Sequence, residues 1–112
     1  MAVEKELERA ESLHAPHLID LECASALRRA VTAGRIDDAR GLAALGDLRQ
    51  LSLTRYPAGS LLERIWELRH TLTTYDAAYV ALAEVLEVPL LTTDERLVRS
   101  HGHRAEIIVP AL

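Results

Sequence analysis

Thr74-Tyr75-Asp76-Ala77-Ala78-Tyr79-Val80-Ala81-Leu82-Ala83, read with Leu90-Leu91-Thr92-Thr93-Asp94, decides the fold. The first stretch predicts a helix over 76–87 that is apolar almost all round, as helices at the centre of a domain are. The second is a short apolar run of buried-strand type, 88–92, that ends on an acid. Asp76 and Asp94 stand eighteen residues apart, each among apolar neighbours. A carboxylate at the edge of a core is costly unless it is hydrogen-bonded, paired or bound to a cation. Two close together raise each other's pKa, which favours a divalent metal between them.

Outward from this centre, helices and strands alternate. Val3 to Ser12 is Glu-rich and helix-prone, and Leu13-His14-Ala15 predicts a strand stopped by Pro16. A helix follows over 17–33, its apolar stripe formed by Ile19, Cys23, Ala26, Leu27 and Ala30, with Gly34 as its stop. Asp37 and Asp38 open the next helix, which carries Leu42, Leu45 and Leu48. Alternation over 51–56 predicts a strand ended by Pro57, and Ser60-x-x-Glu63 is a capping box ahead of a helix over 61–70. A short helix over 94–100 and a last strand, Ile107-Ile108-Val109, complete the chain. The pattern is α/β, with a mainly parallel sheet covered on both faces. Such sheets bind ligands beyond the carboxyl ends of their strands, where Asp94 stands.

The 112 residues make one domain, 1–112, with an ordinary apolar core. Thirteen basic against seventeen acidic side chains argue against a scaffold coated in positive charge, but not against a local basic patch. The basic residues are Arg with the single exception of Lys5, a bias that suits phosphate contacts and also GC-rich coding. Cys23 is the lone cysteine, which excludes a disulfide framework and a thiolate zinc site and leaves a small buried hydrophobe. No apolar run reaches membrane-spanning length and the first eleven residues are not signal-like, so a cytoplasmic protein is expected.

Taken singly, Asp94 reads as a helix N-cap, Asp76 as a partner of the helix dipole and Glu22 as a surface ion-pair residue. Taken together, the three acids make an oxygen-only set suited to Mg2+ or Mn2+. Such an ion activates water and stabilises charge on a phosphoryl group. Arg28, Arg29 and Arg69 are candidates for phosphate contacts, with a solvated helix face as the alternative. His70 reads as a core or surface histidine, His14-x-x-His17 and His101-x-His103 as surface residues, and Trp66 as core or dimer interface. The five glycines are scattered, which leaves no phosphate loop, and nothing suggests a Ser/His/Asp triad.

Three segments carry a resemblance. Pro16-His17-Leu18-Ile19-Asp20-Leu21-Glu22 with Ala26-Leu27-Arg28-Arg29 resembles the segment bearing the second acid of PIN-domain ribonucleases. Leu68-Arg69-His70, Leu72-Thr73 and the run from Tyr75 to Ala83 resemble the third, and Pro89 to Asp94 the fourth, a Thr-x-Asp after a strand. Order and spacing are similar to the VapC-type toxins of bacterial toxin–antitoxin pairs, over nearly the whole chain from Leu13 onward. The resemblance implies a three-layer α/β/α domain, a Mg2+- or Mn2+-dependent endoribonuclease, a homodimer, and silencing by a VapB-type antitoxin. It makes Glu22, Asp76 and Asp94 the catalytic and metal-binding acids and Thr92 the supporting hydroxyl.

One part of the family pattern is not matched. That pattern opens with a central strand carrying the first acid, whereas Met1 to Ser12 holds no apolar strand and no Asp. The expectation is an N-terminally incomplete PIN-like domain with a split ladder and little or no nuclease activity. A misplaced start, a shortened chain and a natural short form all fit that expectation. The alternative function is an inert PIN-like module that keeps an antitoxin- or dimer-binding surface. A third reading is an unrelated doubly wound domain with accidental carboxylates.

Overall fold

Helix α5, Thr74–Leu86, packs against a helix, two strands and a 3₁₀ turn of the chain. The computed structural model describes residues 2–110, with the side chains at 2–4 and 7 outside the description. Around α5 the described elements are α1 (Ala2–Arg9), β1 (Leu13–Pro16), α2 (Leu18–Thr32), α3 (Asp38–Gln50), β2 (Leu53–Tyr56), α4 (Leu62–Glu67), β3 (Leu90–Leu91) and β4 (Ile107–Ile108). Short 3₁₀ turns occupy Gly59–Leu61 and Glu95–Arg99. The chain is α/β, as its alternation predicts.

Both strand pairings are parallel. β1 lies on β2 with Leu13 opposite Leu53 and Pro16 opposite Tyr56. β3 lies on β4 with Leu90 opposite Ile107. Among the described residues these form two separate two-stranded sheets. α5 contacts one strand of each, β1 and β3, and so bridges the two sheets. Pro16 offers no N–H, which suits the end of a strand, and the ladder continues through His17 N–H to the Tyr56 carbonyl at 2.9 Å.

The core explains why α5 is apolar on every side. Ala77, Ala78, Val80 and Ala81 are buried against Leu61, Ile65, Leu68, Leu72 and Leu97. Its small side chains let neighbouring backbones approach closely, so that a 13-residue helix buries seven residues. The one charged member is Glu84. Its carboxylate receives Arg64 Nε at 2.8 Å, Arg64 Nη2 at 3.0 Å and the Arg104 N–H at 2.8 Å, so no lone charge is buried. Asp20 and Arg55 form a second two-point pair, at 2.7 and 2.8 Å, that ties α2 to β2.

Helix ends follow local chemistry. Gly34 (φ +75°) ends α2, with its N–H on the Val31 carbonyl and the Arg35 N–H on that of Ala30, a Schellman closure. Asp37 caps α3 through the Arg40 N–H at 2.7 Å. Thr73 caps α5 through the Asp76 N–H at 3.2 Å. α5 stops on Glu87, a non-glycine residue at φ +55°.

Several expectations need correction. The Ser60-x-x-Glu63 capping box does not form: the Leu61 N–H bonds the Ala58 carbonyl, winding a 3₁₀ turn that takes Ser60 inside it. The second strand starts at Leu53 rather than 51, because the Leu51 N–H still bonds Asp47 and Leu48 as the cap of α3. Ala26 is exposed and α2 has no fully buried residue. His14 is half-buried rather than on the surface, its Nδ1 2.6 Å from the Tyr56 hydroxyl and its Nε2 2.8 Å from Ser12 Oγ. Trp66 is not core but 67 % exposed.

Candidate functional site

The three acids stand in three different local settings, Asp76 on α5, Glu22 on α2 and Asp94 beyond β3. Asp76 is half-buried in the first turn, where the helix dipole favours a negative charge. Tyr79 follows one turn later on the same flank. Its hydroxyl donates to Glu22 Oε1 at 2.5 Å, across fifty-seven residues of sequence, and so links a side chain of α2 to α5. Burial, and next the Glu22 carboxylate, push the Tyr79 phenol well above its ordinary pKa. It stays a donor at any physiological pH.

Asp94 follows β3 and caps the 3₁₀ turn of Glu95–Arg99. Its own N–H donates to Thr92 Oγ1 at 3.1 Å, so the Thr-x-Asp spacing closes a local turn that fixes where the carboxylate points. Arg96 then grips both oxygens. Its backbone N–H and Nε reach Oδ1 at 3.0 Å, and Nη2 reaches Oδ2 at 2.9 Å. The Arg96 side chain and then its N–H hold the Asp94 carboxyl below its ordinary range. The Arg96 guanidinium is in turn raised by Asp94 and, more weakly, by the charge of Asp76. One cation therefore stands in the field of both acids.

The donors suit a hard cation in kind, since all are oxygens, but not in placement. Among the described residues no three of His, Cys, Asp and Glu are close enough to hold an ion. Glu22 Oε1 is engaged by Tyr79 and both Asp94 oxygens by Arg96. As placed, the three acids do not form a metal centre. Arg96 supplies the compensating charge instead.

The arginine candidates fall in two places. Arg29 lies two turns beyond Glu22 on α2 and donates to Ser25 Oγ at 2.9 Å, with Arg28 exposed beside it. Arg69 lies past the end of α4, its guanidinium 4.5 Å from the centre of the Trp66 ring. Burial, ahead of Asp20 and Glu22, raises the Cys23 thiol, which disfavours its thiolate. Sequence reasoning missed Tyr79 and Arg96. Both were within reach of spacing rules: Tyr79 shares a helix flank with Asp76 at i+3, and Arg96 follows a cap residue at i+2.

The PIN-domain family model matches residues 1–101. The chain is 53 % identical over 93 residues to ribonuclease VapC9 of Mycobacterium tuberculosis, covering 83 % of this chain and 73 % of that protein. To ribonuclease VapC12 of the same organism it is 46 % identical over 99 residues, 88 % of this chain and 77 % of the relative. To ribonuclease VapC1 it is 50 % identical over 95 residues, covering 84 % and 71 %.

Proposed function

The chain belongs to the PIN-domain family as a VapC-like member, and from that premise we propose that it is a toxin ribonuclease hydrolysing RNA phosphodiester bonds. The observation that supports this reading is the Tyr79 hydroxyl bond that draws Glu22 toward the flank of α5 carrying Asp76, while Asp94 lies just beyond β3, a strand that α5 contacts. Acids held near a helix N-terminus and beyond a strand's carboxyl end are where an α/β fold places chemistry. In this reading Glu22, Asp76 and Asp94 are the catalytic acids, Thr92 orients Asp94, and Arg28, Arg29 and Arg69 hold phosphates. The reading extends to a cytoplasmic homodimer restrained by a VapB-type antitoxin.

Mg2+ or Mn2+ is the cofactor that this reading requires, and it would supply an activated water. Tyr79 fixes the direction of one Glu22 oxygen, and Arg96 keeps Asp94 ionised while occupying it. Arg96 has to leave Asp94 before that carboxylate can bind anything else. The test is cleavage of a mixed single-stranded RNA substrate with Mg2+ or Mn2+, against EDTA and against Asp76→Asn. Metal-dependent cutting that Asp76→Asn abolishes supports the proposal. Intact RNA under every condition overturns it.

A second reading is favoured by the Arg96 clamp. With Asp94 paired to Arg96 and no three acids together among the described residues, the chain would be an inert module that binds an antitoxin or a second copy. Binding of a VapB-type partner without RNA cleavage supports that reading instead.

A further inference from the structure

Trp66 is the only tryptophan in the chain, and it stands 67 % exposed on α4. Leaving so large an aromatic in water forgoes the burial that usually stabilises it. The ring is backed, not bare. The Arg69 guanidinium stacks 4.5 Å from its centre, and Arg69 Nη1 donates to the Trp66 carbonyl at 2.8 Å, which fixes that stack. Among the described residues Arg69 has no carboxylate partner, in a chain whose net charge is −4.

The segment that follows leads into the acids. Buried Leu68 and Leu72 anchor a turn, with the Leu72 N–H on the Leu68 carbonyl at 3.0 Å. Arg69, His70 and Tyr75 are all exposed along it, and Asp76 is the next residue. An unpaired cation, two exposed aromatic rings and a catalytic-acid candidate thus share eleven residues, 66–76.

We propose that Trp66, backed by Arg69, is a stacking platform for an unpaired base of the RNA strand, with Arg69 also facing a phosphate. Any base can stack on an indole because every base has a π-face, and a guanidinium beside the ring adds charge complementarity to the backbone. The platform selects single strands, since a paired base is already stacked. This inference rests on the ribonuclease reading and names how that site holds its substrate.

Because Trp66 is the sole tryptophan, its emission reports the platform directly. The wild-type chain is titrated in Mg2+ with a short single-stranded RNA whose integrity is checked by gel. Trp66 emission and the anisotropy of a labelled copy of the RNA are followed in parallel. The expected result is quenching by the single strand, little quenching by a duplex of equal length, and affinity lowered roughly five- to a hundredfold in Trp66→Ala. Arg69→Gln should weaken binding less. RNA binding with unquenched Trp66 and unchanged Trp66→Ala affinity overturns the platform and leaves the ribonuclease reading standing. No RNA binding at all overturns both. Emission that shifts on dilution of the protein alone, with a dimer dissociating in sedimentation, assigns this face to a second copy and overturns the platform.

Discussion

The Tyr79 hydroxyl and the Glu22 carboxylate, 2.5 Å apart, are the contact through which α2 presents an acid to the first half of α5. The bond does two jobs. It satisfies a phenol that is otherwise partly desolvated, and it orients a carboxylate on a helix that has no fully buried residue of its own. The hydrogen bond fixes a side chain that packing leaves free.

Tyr79→Phe tests that link. The lost bond should lower stability by about 0.5–1.5 kcal/mol, read as a urea midpoint at pH 7. The pH dependence follows from the raised phenol. The folded chain keeps the Tyr79 proton above the ordinary value of 10.0, whereas the unfolded chain releases it there. Wild-type stability relative to Tyr79→Phe is therefore full below pH 10 and declines above it. A difference between the two proteins that stays flat from pH 8 to 11 would contradict the assignment.

Arg64 and Glu84 offer a harsher test of the core. The Glu84 side chain is 1 % exposed and Arg64 supplies two of its three bonds. Arg64→Met leaves a buried carboxylate short of a counter-charge and should cost about 3–5 kcal/mol in thermal or urea unfolding. Arg64→Met with Glu84→Met should recover much of that loss. The Arg64 guanidinium, ahead of the Arg104 N–H, holds Glu84 below its ordinary value of 4.5. Its contribution is present above that pH and fades as pH falls through the depressed folded value.

Where residues carry a strong periodic or capping signal, the fold was legible. The all-apolar helix with Asp76 near its start, the Gly34 stop and the Asp37 cap follow from single-residue preferences, and the structure has all three. What sequence could not supply is pairing between distant residues. The buried Arg64–Glu84 pair, the Tyr79–Glu22 bond and the His14–Tyr56 contact span twenty to fifty-seven positions, and no local rule ranks one arginine or tyrosine above another. The capping box failed for a related reason. Ser60-x-x-Glu63 has the right letters, but the turn begun at Ala58 uses that backbone first. At the candidate site the acids were legible as residues, while the Arg96 grip depends on a side chain rotamer that spacing only permits.

Arg96→Gln tests that grip. Removing the guanidinium frees Asp94 Oδ2, leaves Oδ1 with only the backbone N–H of residue 96, and takes a positive charge from the field of Asp76. Binding of Mn2+, followed by calorimetry, should tighten by roughly fivefold or more, since a displaced cation no longer competes for the same carboxylates. The Asp94→Asn variant should lose the effect. Equal Mn2+ affinity in wild type and Arg96→Gln would show that Asp94 takes no part in cation binding.

Glu87 ends α5 in a conformation that disfavours it. At φ +55° its Cβ crowds the following carbonyl, a penalty glycine does not carry. Its N–H still bonds the Glu84 carbonyl at 3.2 Å, and the Val88 N–H bonds that of Ala83 at 3.1 Å, so the backbone closure is complete without the side chain. Glu87 is also exposed, so nothing is lost from the core when its side chain goes. Glu87→Gly should therefore raise stability by about 0.5–1 kcal/mol despite the entropy glycine adds to the unfolded chain. Glu87→Val, β-branched and equally obliged to adopt positive φ, should lower it. The two variants differ only at the helix terminus, so their melting temperatures should move in opposite directions while the Tyr79–Glu22 contact and any RNA cleavage stay unchanged. Melting shifts of the same sign would mean that the helix ends elsewhere in solution.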